Sequence, residues 1–288
     1  MSHALADRLR ALKQQAGQPL AAPASPTPRA PPAADTIASL RRLLGVRERV
    51  PNAVPRAPAD RSLPGREIAS GLHLLEAQVP LPAPDRAVPL AFARRDDAVD
   101  PRDLLFFDTE TTGLAGGTGT RAFMIGVADW PDAATLRVRQ LLTTTMAAET
   151  AMLDAFAGWL SPRSVLSSYN GRCYDAPLLG TRYRLARRAN PLHGLDHVDL
   201  LFPTRRRWRG RWENCRLATI EREALGVVRE DDLPGAQAPA AWLHYLRGGG
   251  SSLLKRVAEH NHQDVVTLAL LLGRLSALHA EDAARAAD

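Results

Sequence analysis

The order of apolar patterns along this chain predicts an α/β fold, a mixed sheet flanked by helices. Three observations carry that expectation. Strand-like runs come first, from about residue 67; helical and strand patterns alternate after residue 145; and a long amphipathic helical pattern lies near the C-terminus. With 288 residues and 45% hydrophobic content the chain is long enough to bury a substantial core.

The elements follow in order. REIASGLHLLEAQVPL, residues 66–81, reads as a pair of short strands. LLFFD (104–108), RAFMIGVADW (121–130) and TLRVRQLLT (135–143) read as three more, and their short turn-like links imply antiparallel pairing. AAETAMLDAFAGWL (147–160) has apolar residues at helical spacing, VLSSYN (165–170) is a further strand, and YDAPLLGTRYRLARR (174–188) a further helix. HVDLLF (197–202) adds a last strand, RLATIEREALG (216–226) a helix, and residues 253–279 a long helix ahead of a tail, 281–288, expected to fray. No internal repeat is present.

The first 66 residues read differently. They carry eleven Lys and Arg against four Asp and Glu, leaving 26 against 27 for the rest of the chain. Through residue 89 they hold 14 of the 22 prolines, in runs such as PLAAPASPTPRAPPAAD. Such a segment buries too little apolar surface to offset its ordering entropy, so residues 1–66 are expected to be a largely disordered arm. Two short helical islands interrupt it, ALADRLRALKQQ and DTIASLRRLLGVRER, the second with Asp35 as N-cap and Ile37, Leu40, Leu43 and Leu44 on one face. A basic arm points to an anionic partner, with a protein partner at DTIASLRRLL as the alternative. No run approaches about 20 apolar residues, and the start, MSHALADRLRALKQQ, lacks the apolar block of a signal peptide. No membrane association and a cytoplasmic location are therefore expected. Cys173 and Cys215 stand in no metal-ligand pattern and are expected to be reduced thiols.

Chemistry concentrates at LLFFDTETTGL, residues 104–114, where a buried strand runs into Asp108 and Glu110. Side chains two apart on a strand share a face, and two carboxylates that close require a proton or a cation between them. NGRCYDAPLL sets Asn170 at a strand end and Asp175 at the start of the next helix; HNHQD sets His260 four residues before Asp264, on the same helical face. Each also has an ordinary structural role open to it. Asp175 suits a helix N-terminus, Asp264 a pairing with an arginine such as Arg256, and His260 the protein surface. PTRRRWRGRW interleaves Arg205, Arg206, Arg207, Arg209 and Arg211 with Trp208 and Trp212, which offers phosphate contacts and stacking surfaces together, or else a solvated basic loop with its tryptophans tucked inward. GLAGGTGT lacks the frame of a dinucleotide or P-loop site.

Taken in order, Asp-x-Glu-Thr-Thr-Gly, strand-end Asn with Asp five residues on, and a C-terminal helix with His shortly before Asp resemble the DEDD 3′→5′ exonucleases of the ribonuclease-H-like superfamily, over about residues 100–275. Within it, DLLFPTRRRW, ENCRLATIEREALG and HNHQDVVTLALLL look most like the YprB-like proteins. The resemblance implies a five-stranded mixed sheet flanked by helices, and makes Asp108, Glu110, Asp175 and Asp264 the acids that bind two Mg2+ or Mn2+ ions. Two such ions, about 4 Å apart, stabilise the charge that develops on the attacking and leaving oxygens of a phosphodiester. By resemblance Asp108 bridges both ions, Glu110 holds one and orients the attacking water, Asp175 serves the second and Asp264 completes the first. All-oxygen ligation favours Mg2+ or Mn2+ over zinc.

The activity implied is hydrolysis at single-stranded DNA or RNA ends. A structure-selective endonuclease and a non-catalytic nucleic-acid-binding module are the alternatives. Thr111, Asn170 and the arginine-rich stretch are expected to touch the nucleic acid. Histidine stands where these enzymes carry tyrosine, four residues before the last Asp, and Glu259 stands at the longer spacing. His260 is thus the candidate to accept a proton from a metal-bound water or to hold that water by a hydrogen bond, since His262 points about 160° away from Asp264.

Overall fold

The computed structural model describes residues 59–113, 118–229 and 233–287. The two helical islands expected in the arm lie outside these residues. Nine strands are described: β1 (Arg66–Ala69), β2 (Leu72–Val79), β3 (Val88–Pro89), β4 (Ala98–Val99), β5 (Leu104–Thr111), β6 (Ala122–Asp129), β7 (Leu136–Thr143), β8 (Val165–Ser168) and β9 (Asp196–Asp199). The α-helices are α1 (Glu149–Ala157), α2 (Asp175–Leu185), α3 (Leu201–Trp208), α4 (Leu217–Ile220), α5 (Ala238–Leu246) and α6 (Ser252–Ala287).

Seven strands form one mixed sheet in the order β1-β2-β7-β6-β5-β8-β9, and β3 pairs with β4 in a separate ribbon. The pairings from β1 to β5 are antiparallel, while β5–β8 and β8–β9 are parallel. This is the expected ribonuclease-H-like sheet with one correction: it has seven strands, not five. The 66–81 hairpin joins the same sheet because β2 runs antiparallel along the whole of β7, from Leu72 opposite Thr143 to Val79 opposite Leu136.

Both faces of the central strands are covered, which is why β5 and β6 read as continuous apolar runs and do not alternate with polar residues. Leu104 and Phe106 of β5 pack with Val265, Leu268 and Leu272 of α6 on one face. Leu105 and Phe107 pack with Met152 and Phe156 of α1 and Leu179 and Tyr183 of α2 on the other. Beyond β6, Trp242 of α5 stacks on Phe123.

Four boundaries differ from expectation. The strand read over 197–202 ends at Asp199, and Leu201 and Phe202 open α3. Asp60 and Arg61 are already bound to the domain: the Asp60 carbonyl accepts from Ser251 N at 2.8 Å, and Arg61 donates to the carbonyls of Tyr245 and Gly249. The helix read over 216–226 is α4 followed by a π turn, Glu221–Leu225, closed by Gly226 at φ 68°. The stretch expected to fray after residue 280 continues α6 through Ala287. Among the described residues no helix is long and apolar enough to cross a membrane.

Candidate active site

Asp108 and Glu110 stand near the C-terminal end of β5, opposite Gly126 and Met124 of β6. Alternation turns Asp108 toward α6, where the Asn261 side-chain amide donates to its Oδ2 at 3.0 Å. Thr109, between the two acids, points to the other face, and its hydroxyl donates to the carboxylate of Asp175. Asp175 opens α2, where the helix dipole favours a negative charge. Asp264 comes from α6. Three elements thus bring four carboxylates to one end of the sheet.

The acids act on one another electrostatically. The Asp108 carboxyl is pushed well above the usual carboxylate range, by burial first and then by the charges of Asp264, Asp175 and Glu110; the Asn261 amide works the other way. Burial also raises Asp175, to about 6, against the hydrogen bond from Thr109. A partly buried cluster of four acids, which supply oxygen donors, fits a hard divalent cation. Among the described residues, no three such side chains are already disposed as a ready metal site. The hydrogen bonds explain this, because Asn261 holds Asp108, Thr109 holds Asp175, and Asp264 is held by an arginine.

That arginine is Arg229, which the sequence did not single out. Its Nη2 donates to Asp264 Oδ1, and its Nε and Nη2 donate to both oxygens of Glu221 at 2.6 and 2.7 Å. Glu221, 1% exposed in the π turn, also accepts from Thr267 on α6. Burial works against the Arg229 charge, but Glu221 and Asp264 more than offset it and raise its pKa above the ordinary value. Arg229 Nη1 lies 2.9 Å from His260 Nδ1, and His260 Nε2 lies 3.6 Å from Asp264 Oδ2. A guanidinium only donates, so Nδ1 is the accepting nitrogen and the ring hydrogen sits on Nε2, toward Asp264. His262 is turned away, into a separate cavity beside Gln140 and Lys255.

A second missed acid supports the loop before Asp175. Buried Asp199, at the end of β9, accepts from the backbone N–H groups of Asn170, Arg172 and Leu201 at 2.8, 3.1 and 3.0 Å. Asn170 itself is exposed at φ 70°, a left-handed conformation that asparagine tolerates. Thr111 is 6% exposed, and its hydroxyl bonds Gly113 O and Tyr174 Oη within the turn.

The arginine-rich stretch does not form the stacking surface expected of it. Trp208 is 4% exposed, packed in the core and stacked on Trp212 at 5.5 Å, so it offers no face to a base; the apolar side of α3 draws it inward. Arg206 donates to Phe92 O, Arg207 pairs with Asp282, and Arg211 lies over the Trp212 ring. Arg205 and Arg209 are exposed.

Fold and acid cluster together describe a ribonuclease-H-like, nuclease-type domain, and comparison with known proteins agrees. Residues 105–276, more than half of the chain, match RNase_H_2 of the RNase_H superfamily, and the chain belongs to that family. Over 176 residues it is 38% identical to the protein YprB of Bacillus subtilis (strain 168), a match spanning 60% of this chain and 42% of that protein. The chain therefore aligns with less than half of that relative's length. In structure it is also similar to the family B DNA polymerase from the hyperthermophilic archaeon Pyrobaculum calidifontis, at a TM-score of 0.48 and 16% identity, over 60% of this chain and 24% of that one.

Proposed function

We propose that this protein is a metal-dependent DEDD-type nuclease that hydrolyses phosphodiester bonds, acting 3′→5′ on single-stranded DNA or RNA ends. One observation carries the reading: Asp108, half-buried and held by the Asn261 amide, lies within the electrostatic reach of Asp264, Asp175 and Glu110, a cluster that needs a proton or a cation and whose oxygen donors suit a divalent one. Asp108, Glu110, Asp175 and Asp264 would hold two Mg2+ or Mn2+ ions, which supply charge stabilisation to the attacking and leaving oxygens.

The chain's own residues then divide the remaining work. The Thr109 hydroxyl and the Asn261 amide hold Asp175 and Asp108 in place. Asp264 is available in full only when Arg229 gives up its bond. His260 faces the same carboxylate, and as long as Arg229 occupies Nδ1 the imidazole presents an N–H at Nε2. It orients a water as donor in that state; once Arg229 withdraws and the ring hydrogen passes to Nδ1, Nε2 is free to take a proton from the water. Asn170, Arg205 and Arg209 remain the proposed contacts to the strand, while Thr111, buried with its hydroxyl bonded inside the turn, shapes that turn.

The test is digestion of matched single-stranded DNA and RNA, 5′-end-labelled, by the full chain with Mg2+ or Mn2+. The expected product is a ladder shortening from the 3′ end, abolished by EDTA and by Asp108→Asn or Glu110→Gln with nucleic-acid binding retained. Internal cuts would move the reading to an endonuclease, and no cleavage of either strand type would contradict it.

A further inference from the structure

Asp108 of β5, Gly126 of β6 and Gln140 of β7 are directly opposite one another, forming a row across three strands. The row is unusual for a buried sheet, because its middle member has no side chain and its last is an amide only 4% exposed. Asn261 of α6, wholly buried, lies over the gap. A Cβ on residue 126 would come within 2.0 Å of Asn261 Oδ1, so the space above Gly126 is where the asparagine fits.

The direction of the hydrogen bonds in this row is fixed. Gln140 Nε2 lies 2.7 Å from the backbone carbonyl of Ala258, which only accepts, so Gln140 must present its NH2 group there. The second hydrogen of that group goes to Asn261 Oδ1 at 2.9 Å. The Asn261 amide is thereby turned with its own NH2 toward Asp108 Oδ2, at 3.0 Å. Gln140 thus donates both ways, to the helix carbonyl and to Asn261, and from Gln140 the bonds run in one sense through Asn261 to the carboxylate.

We propose that Asn261 is a positioning residue whose amide, locked by Gln140 over Gly126, fixes the rotation of the Asp108 carboxylate and so sets the affinity of the site for its divalent cation. The inference rests on the reading of Asp108 as a cation ligand. Partners of this kind, which orient a ligand without touching the metal, typically contribute about 10–100-fold in metal affinity. Gln140 is the sharper probe, since it touches neither the acid nor the ion. A glutamate there cannot donate to Ala258 O and Asn261 Oδ1 together, yet its charge would draw a cation closer. Simple attraction and the relay therefore predict opposite signs.

The experiment is Mn2+ titration by calorimetry on the full chain, with cleavage rates at varied Mn2+, for the parent, Asn261→Ala, Gln140→Met and Gln140→Glu. Folding of each is checked by circular dichroism. The expected result is Mn2+ affinity about tenfold or more weaker in every folded variant. The Mn2+ concentration for half-maximal cleavage rises in step, and the maximal rate returns toward the parent's at saturating Mn2+, which a general loss of structure would not allow. If Asn261→Ala does not fold, the two Gln140 variants decide alone. Parent-like affinity in the folded Gln140 variants, or tighter binding in Gln140→Glu, overturns the inference while leaving the site reading intact. A parent that binds no Mn2+ overturns both.

Discussion

Arg229 brings a positive charge into a cluster of acids, and a buried partner of its own makes that affordable. Glu221 and Arg229, with side chains 1% and 11% exposed, form a two-pronged ion pair beneath Asp264. Removing one member of such a pair strands the other, which typically costs about 3–5 kcal/mol, whereas replacing both by apolar groups costs far less. Arg229→Met is therefore expected to destabilise the protein by roughly that amount. Arg229→Met with Glu221→Leu should lose less than the sum of the two single changes, as read from urea unfolding. At His260, which Arg229 contacts, a change to alanine (His260→Ala) is expected to lower the cleavage rate by about 10²–10⁴, with Mn2+ binding retained, and His262→Ala to leave it near the parent's. Equal kinetics for parent and His260→Ala would reduce His260 to an ordinary helix residue. The four acids were legible in the sequence because strand alternation and helical spacing place Asp108 beside Glu110 and His260 above Asp264. Arg229, Glu221 and Asn261 were not, because their partners lie on other elements, and one arginine among many carries no local mark.

At the scale of elements, the parallel β8–β9 edge holds the turn that delivers Asp175. Ser168 Oγ lies 2.7 Å from His197 Nε2 and accepts from Gly171 N, while Asp199 gathers three backbone N–H groups of the same region. Burial first of all holds His197 down at about 4, against an ordinary 6.5. A depressed histidine contributes stability that is present above pH 6.5 and is lost as pH falls toward 4, worth up to about 3 kcal/mol for a shift of this size. The raised Asp175 has the opposite sign, weakening the metal-free fold as pH rises from its ordinary value toward 6. The difference between the parent and His197→Gln removes the Asp175 contribution. The variant is expected to be less stable at pH 7, with the gap closing between pH 6.5 and 4.5; a gap that does not change with pH would contradict this account. Sequence pattern located every strand of the large sheet, since buried runs and alternation are local. It gave neither the π turn, which arises as Glu221 is drawn under α6, nor the ribbon of β3 and β4, whose two-residue strands have no periodicity to read.

For the whole molecule, charge is divided by region. Residues 1–58 carry nine Lys and Arg against three Asp and Glu, leaving 28 of each for the rest, so the basic surplus lies in the part preceding the described domain. Because residues 60 and 61 are bound to the turn between α5 and α6, an informative truncation removes residues 1–58 and no more. It is expected to weaken nucleic-acid affinity and flatten the slope of log affinity against log salt, since fewer phosphate contacts release fewer counterions. An unchanged slope would assign the arm to another partner, such as a protein. The rest of the chain is formally neutral, and four of its acids meet at one end of the sheet. Mn2+ binding by the full chain, measured calorimetrically beside Asp108→Asn, is the most direct check on the claim that this cluster is a cation site. The account predicts two Mn2+ ions per parent chain and loss of both sites in the variant; a parent that binds none, or an Asp108→Asn protein that binds as tightly, would contradict it.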